Sequence, residues 1–211
     1  MRVAKTVLAS GVLFSFLGLG LGRAAAQDRM PPIPKESMTE AQAKAAEELV
    51  SGPRGALVGP FVPLLRSPEF MSRLQKTGEY LRFQNALGPK VTEFVILLTA
   101  RQWTQQYQYT SHLPLALRAG VKPEWAEAIA AGRRPTGMAA EEEAAYDFCT
   151  ELRQNQSVSD ATYARVVGRF GERGVIDMAG LVGYYTTLAM IMNVARTPVP
   201  DGKTPLVPFP H

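Results

Sequence analysis

The sequence has little of the chemistry that forms disulfides or holds metals. It contains one cysteine, Cys149, and two histidines, His112 and His211, in 211 residues. A disulfide within one chain needs two cysteines, so packing alone must stabilise the fold. A zinc or copper cage draws on histidine and cysteine, so we expect no metal site and no other cofactor. The apolar neighbours of Cys149 indicate a buried, unreactive thiol.

The sequence also lacks the charge imbalance of a nucleic-acid-binding protein. The formal net charge is +4, from 23 basic and 19 acidic residues. Three of the basic residues lie in residues 1–26, so the rest of the chain carries 20 basic and 19 acidic residues. No cluster of Lys and Arg stands out. We therefore expect no nucleic-acid partner and favour small molecules or proteins.

Residues 1–26 have the pattern of a secretory signal peptide. Two basic residues, Arg2 and Lys5, precede an apolar run from Val7 to Gly22, and three alanines end the segment. The run is short for a membrane span, which needs about 20 apolar residues. We predict cleavage after Ala26 and a secreted or periplasmic protein with no stable membrane span, although an uncleaved anchor is an alternative.

The remaining chain predicts a single all-α domain. Residues 27–38 are rich in proline and should be extended, residues 39–197 form the helical domain, and residues 198–211 form a Pro-rich tail expected to lie on a partner surface. Gly and Pro separate the helical segments, and no strand pattern is found. The last helix is long and apolar but contains Asp177 and Asn193, which favours a core or subunit-interface helix over a membrane span.

One helical face has an unusual composition. In the stretch "ARQWTQQYQYTSHLPLALRAGV", Gln105, Gln108, Tyr109 and His112 have the spacing i, i+3, i+4 and i+7. A solvated face would carry Lys and Glu, and a core face would carry Leu and Val. This uncharged polar and aromatic face indicates either a buried polar site or an interface.

The same stretch carries a family resemblance. "TEFVILLTARQWTQQYQYTSHLPLALRAGV" and "EWAEAIAAGRRP" resemble the carboxymuconolactone decarboxylase family, whose wider superfamily includes the alkyl hydroperoxidase D-type (AhpD-like) antioxidants. The resemblance extends to "GPFVPLLRSPEF" before this stretch and to "VSDATYARVVGRFGERGVIDMAGLVGYYTTLAMIMNVA" after it. It implies the AhpD-like helical fold and a homo-oligomer, typically a trimer or hexamer.

The hydroperoxidase branch has a glutamate, a C-x-x-C pair and a histidine in a fixed register. Aligned on His112, the glutamate falls on Glu93, and the two cysteine positions fall on Gln105 and Gln108. Peroxide reduction requires a thiolate and a resolving thiol, and an amide can be neither. An AhpD-like peroxidase or antioxidant activity is therefore the less favoured alternative.

The decarboxylase branch commonly has Glu-Trp-x-x-His where this chain has Gln108, Tyr109 and then His112. The resemblance implies a cofactor-independent lyase that acts on a small carboxylated lactone or related acid. In this hypothesis His112 donates or accepts a proton, and Glu93 orients it or binds the enol. The chain departs from the family at Gln108, which weighs against the family's own reaction, and the predicted export indicates that the substrate differs from the cytoplasmic lactone of that family.

Further residues are candidates for substrate binding. Arg101 and Arg82 have forked donors suited to a carboxylate, Gln108 and Tyr109 suit a lactone carbonyl with Gln105 on the same face, and Trp103 suits an apolar wall. Structural alternatives remain for His112 and Arg101. His112 is then a core histidine whose nitrogens are hydrogen-bonded within the fold, and Arg101 pairs with an acidic neighbour. A non-catalytic binding or scaffold protein on the same fold is the remaining possibility.

Overall fold

A computed structural model describes residues 27–199 and 202–207 of the chain, so the predicted signal peptide at 1–26 lies outside the described residues. In these ranges no residue belongs to a β-strand, and the prediction of an all-α fold is confirmed. After a 3-10 turn at Lys35–Ser37, the helices are α1 Glu40–Ser51, α2 Phe61–Leu64, α3 Pro68–Phe83, α4 Gly88–Gln102, α5 Gln106–Arg118, α6 Pro123–Ala130, α7 Ala140–Asn155 and α8 Asp160–Ala195.

Local sequence signals fix where several helices begin. Thr39 and Gln42 form the predicted capping box at the start of α1, each side chain bonding the other residue's backbone N–H. The Ser159 side chain accepts from the backbone N–H of Thr162 at the start of α8. Ser67 makes no such bond at the start of α3, where Pro68 supplies the preset φ of the first helical residue.

Helix α4 is the centre of the domain. Most of its residues are buried, and it packs against α5, α6, α7 and α8. Its apolar body includes Phe94, Val95, Ile96 and Leu97, all fully buried. Because α4 is surrounded, its polar residues must find partners inside the protein or line a cavity.

A tight turn joins α4 to α5 and makes them an antiparallel hairpin. Thr104 adopts a left-handed conformation, with φ of 46°, which is uncommon for a residue other than glycine. The Asn193 side chain of α8 bonds both neighbours of Thr104 in this turn. Its Oδ1 accepts from Gln105 Nε2 at 2.8 Å, and its Nδ2 donates to the Trp103 carbonyl at 3.0 Å.

Helix α8 is kinked rather than continuous. Gly171 has φ 67° and ψ 177°, a conformation essentially restricted to glycine, so two helical segments meet there. Among described helices, α8 alone is long and apolar enough to cross a membrane by length and composition. Its Asp177 is nevertheless buried, accepting from the Tyr80 hydroxyl at 3.0 Å and the Ala86 N–H at 2.8 Å.

The described part of the tail differs from the prediction that it lies on a partner surface. Leu206 is buried in this chain's own core, and the Gln106 side chain bonds both the N–H and the carbonyl of Leu206. Arg101 Nη1 donates to the Val207 carbonyl at 2.6 Å. The physical reason is that the start of α5 offers an amide that can pair with extended backbone, so residues 202–207 cover their own domain.

The kink in α8 can be tested with a pair of exposed glycines. Gly171→Ala should lower the free energy of unfolding by about 1–3 kcal/mol, because alanine strains the backbone at this φ and ψ. Gly168→Ala, one turn earlier in helical conformation and with open space at its Cβ, should raise it by up to about 1 kcal/mol. Chemical denaturation of both variants measures the difference, and equal effects would contradict a kink that depends on Gly171.

Candidate functional site

Glu93 and His112 face each other across the α4–α5 hairpin. His112 Nδ1 lies 2.7 Å from Glu93 Oε2, and both side chains are buried. The sequence left open whether these two residues, 19 positions apart, are in contact. The structure brings them into a direct hydrogen bond.

The hydrogen bond determines which histidine nitrogen is available for chemistry. A carboxylate can only accept, so Nδ1 carries the hydrogen in the pair, and in a neutral ring Nε2 then holds a free electron pair. Burial lowers the pKa of His112 below its usual value of 6.5, and this outweighs the opposing effect of Glu93. The positive charges of Arg82 and Arg54 lower the pKa of His112 further. The ring is thus neutral near pH 7.

Tyr185 of α8 holds the imidazole from a third side. The two rings meet edge to face with centroids 5.2 Å apart, and Tyr184 packs on Tyr185 with the same geometry and separation. Such edge-to-face contacts are favourable for aromatic rings. His112 is therefore fixed by α4, α5 and α8 together.

His112 lies in the wall of a pocket of about 190 Å³. The pocket is smaller than the typical site for a drug-sized ligand, so it suits a small molecule. The apolar residues that line the pocket are Val58, Pro60, Phe61, Leu115, Leu188 and Met192. The polar residues that line it, besides His112, are Arg54, Arg82, Tyr107, Gln108, Ser111 and Tyr185.

Two arginines place positive charge in the lining of the pocket. Arg54 and Arg82 both line it, and none of the described residues that line it is acidic. Arg54 Nη2 donates to the Tyr184 hydroxyl at 2.9 Å, and its guanidinium lies 4.8 Å from the centre of the Phe61 ring. These contacts orient the Arg54 guanidinium, and its other N–H groups can donate hydrogen bonds to an anion.

A glycine on α3 makes room for this arrangement. A Cβ at Gly78 would lie 2.0 Å from the Tyr184 hydroxyl and 2.7 Å from Arg54 Nη2. Because real carbon atoms cannot approach so closely, any side chain at this position would displace the pair.

Of the residues that the sequence proposed for substrate binding, the structure places Arg82 and Gln108 beside His112. Gln108 is buried and lines the pocket. Gln105 lies at the same helix end but accepts from the Gln108 N–H and donates to Asn193. Gln105 thus has a structural role as the N-cap of α5.

The other three proposed residues point away from this pocket. The Tyr109 hydroxyl donates to the Ala126 carbonyl at 2.6 Å inside the core. Trp103 donates from Nε1 to Thr186 Oγ1 at 3.2 Å. Arg101 bonds the tail and lines a separate small cavity. Each has a partner within its own chain, which is the physical reason that it does not reach the His112 pocket.

Sequence reasoning missed Arg54 and gave little weight to Tyr185. Arg54 lies in a Gly- and Pro-rich segment that has no periodicity, so nothing local assigned it to a site. Tyr185 stands in an apolar helix, where an aromatic residue is more typical of core packing than of a site. The available signal for Tyr185 was its hydroxyl, a polar group on an otherwise apolar helix face.

Cys149 is not part of this pocket. It lies on α7, buried, and burial raises the pKa of its thiol to about 12. A thiol with so high a pKa holds almost no thiolate at neutral pH. Among the described residues, no group of three or more His, Cys, Asp or Glu side chains has the geometry to hold a metal ion.

The all-α domain and its central hairpin define the class of protein as the AhpD-like helical fold. It matches the crystal structure of an alkylhydroperoxidase AhpD core protein, an uncharacterized peroxidase-related protein from Ralstonia eutropha JMP134. The TM-score is 0.67, with 16% sequence identity over 88% of this chain and 100% of that chain.

The sequence of the same region resembles a particular family. Residues 68–151 match the model of the carboxymuconolactone decarboxylase family, and this match and the shared fold support the family resemblance. The matched range contains both Glu93 and His112. Among proteins of curated function, none matches the sequence.

The lowered pKa of His112 makes a prediction about stability and pH. The unfolded chain takes up a proton at His112 near pH 6.5, whereas the folded protein does so only at lower pH. The contribution of His112 to stability is therefore complete above pH 6.5 and is lost as the pH falls towards the folded pKa. The free energy of unfolding of the wild type, minus that of His112→Gln, should fall over this interval.

Gln102→Leu changes an uncharged residue of a different cavity and is the control for this experiment. Its stability should change with pH in parallel with the wild type. A difference between wild type and His112→Gln that stays constant from pH 7.5 to pH 5 would contradict a buried, neutral His112.

Proposed function

We propose that this protein is a cofactor-independent lyase that acts on a small carboxylated lactone or related acid. The single observation that supports it most is the buried His112–Glu93 pair in a pocket that also holds Arg54 and Arg82. A proton-transfer group and a pair of guanidiniums beside one small cavity are what the cleavage of a carboxylate from a small acid requires.

The reaction needs a carboxylate to be held and a carbanion to be protonated. The bond from a ring carbon to the carboxylate breaks, carbon dioxide leaves, and the electron pair passes into the unsaturated lactone as an enolate. With substrate bound, Nε2 of His112 takes up a proton from solvent and delivers it to carbon, which returns the ring to its neutral form, while Glu93 keeps Nδ1 occupied and Nε2 directed at the substrate. The apolar wall excludes water from the breaking bond.

Two arginines suit the binding step. Arg82 was proposed for it from the sequence, and Arg54 takes the place expected of Arg101. Their charges also oppose protonation of His112 in the empty site. A bound anion would partly neutralise them, so substrate binding would itself raise the pKa of His112 and favour the proton-donor form.

The proposal includes export and self-association. The pattern of residues 1–26 supports a secreted or periplasmic location. Exposed apolar side chains on α8, namely Ile176, Met190 and Val194, support a homo-oligomer, a trimer or hexamer as is typical of the family. The expected small-molecule partner remains a carboxylate or lactone.

The proposal is tested by incubating the protein with carboxylated lactones in D₂O and following carbon dioxide release and deuterium incorporation by NMR. His112→Gln should lower kcat/KM by about 10²–10⁴-fold, the usual contribution of a general acid or base. Arg54→Gln and Arg82→Gln should mainly raise KM.

Arg133→Gln removes an exposed arginine of a different cavity and serves as the control, with unchanged kinetics. A wild type that binds these acids without turning them over would favour the non-catalytic binding protein. Equal activity of His112→Gln and the wild type would contradict the role of His112.

Peroxidase activity is the alternative suggested by the peroxidase-related protein of the same fold. The positions that align with the cysteines of the hydroperoxidase branch are Gln105 and Gln108, and Cys149 is buried with a raised pKa. We expect no peroxide consumption with a dithiol donor, and the same result for Cys149→Ser. Consumption that is lost in Cys149→Ser would restore the thiol mechanism.

A further inference from the structure

Two buried polar groups in the His112 pocket have no partner. The side-chain nitrogen and oxygen of Gln108 make no hydrogen bond to any described residue, and the same is true of the Tyr185 hydroxyl. Both residues are 2% exposed, and both line the pocket. Other polar residues near the hairpin, such as Gln105 and Tyr109, have hydrogen-bond partners.

Such groups weaken a fold unless something else uses them. A buried donor or acceptor that gives up water without gaining a partner destabilises the protein, and an apolar side chain of the same shape would avoid this. The unpaired groups of Gln108 and Tyr185 are therefore explained by a ligand that bonds them.

We propose that Gln108 and Tyr185 form a second recognition subsite for an uncharged oxygen of the substrate, a ring carbonyl or hydroxyl. The inference rests on the proposed function, in which Arg54 and Arg82 bind the carboxylate of the same molecule. The substrate class is then a small acid with a second, neutral oxygen function.

The chemistry of the two side chains supports a neutral group. The Gln108 amide offers two donors and one acceptor, and the phenol of Tyr185 offers one donor. Burial raises the pKa of Tyr185, so the phenol keeps its hydrogen. Neither side chain carries a charge to balance a second carboxylate, whereas a carbonyl oxygen accepts from both.

The test uses two probes that differ in one oxygen atom: 5-oxotetrahydrofuran-2-carboxylate, a lactone acid, and tetrahydrofuran-2-carboxylate, its ether analogue. Calorimetry on the full chain should give the lactone acid a lower Kd by about tenfold or more, as expected for a buried hydrogen bond. Gln108→Leu and Tyr185→Phe should each remove most of this preference, leaving the Kd of the ether acid unchanged.

Two controls remove the same groups elsewhere. Gln102→Leu changes a glutamine of a different cavity, and Tyr163→Phe changes an exposed tyrosine. Both should keep the wild-type preference. A loss of preference in these controls would contradict a subsite made of Gln108 and Tyr185.

Stability without ligand gives a second readout. Gln108→Leu and Tyr185→Phe should unfold at the same or a higher denaturant concentration than the wild type, because they remove unpaired buried groups. A clear loss of stability in both would show that these groups have structural partners, which would overturn the subsite.

The outcomes separate this inference from the proposed function. Equal binding of the two probes by the wild type would overturn the subsite and leave carboxylate binding by the arginines intact. Binding of neither probe would overturn both. His112→Gln should retain the preference for the lactone acid even if it has no turnover, because the subsite does not include His112.

Discussion

The hydrogen bond between His112 and Glu93 is the constraint on which the rest of the site depends. Both partners are buried, so neither tolerates the loss of the other without an unpaired polar group in the core. Their contact requires α4 and α5 to be antiparallel and in one register. The left-handed Thr104 and the Asn193 bonds to the turn fix that register.

The polar side chains of α8 explain why an apolar helix of this length belongs to the domain. Asp177 holds the segment between α3 and α4, Tyr185 packs on the imidazole, and Asn193 holds the α4–α5 turn. Each would be costly in lipid, and each has a defined position against the site. The part of α8 that follows Gly171 therefore supports the pocket.

The sequence predicted the helices well because caps, prolines and glycines act locally, as at Thr39 and Gly171. It singled out Glu93 and His112 by their register with the family, but it left their contact open, because register does not determine how the two helices pack. It misplaced Arg101, which follows Glu93 by eight residues and so lies about 80° around α4 from it. It missed Arg54, since a loop without periodicity is positioned only by distant residues such as Gly78.

The two glutamines at the cysteine positions have acquired different roles. Gln105 caps α5 and bonds Asn193, so it stabilises the turn between α4 and α5. Gln108 faces the cavity with unpaired groups. A site that exchanged electrons would need both positions free to react with each other. Here one position stabilises the hairpin and the other faces the pocket, which fits a site that recognises oxygen atoms and moves protons.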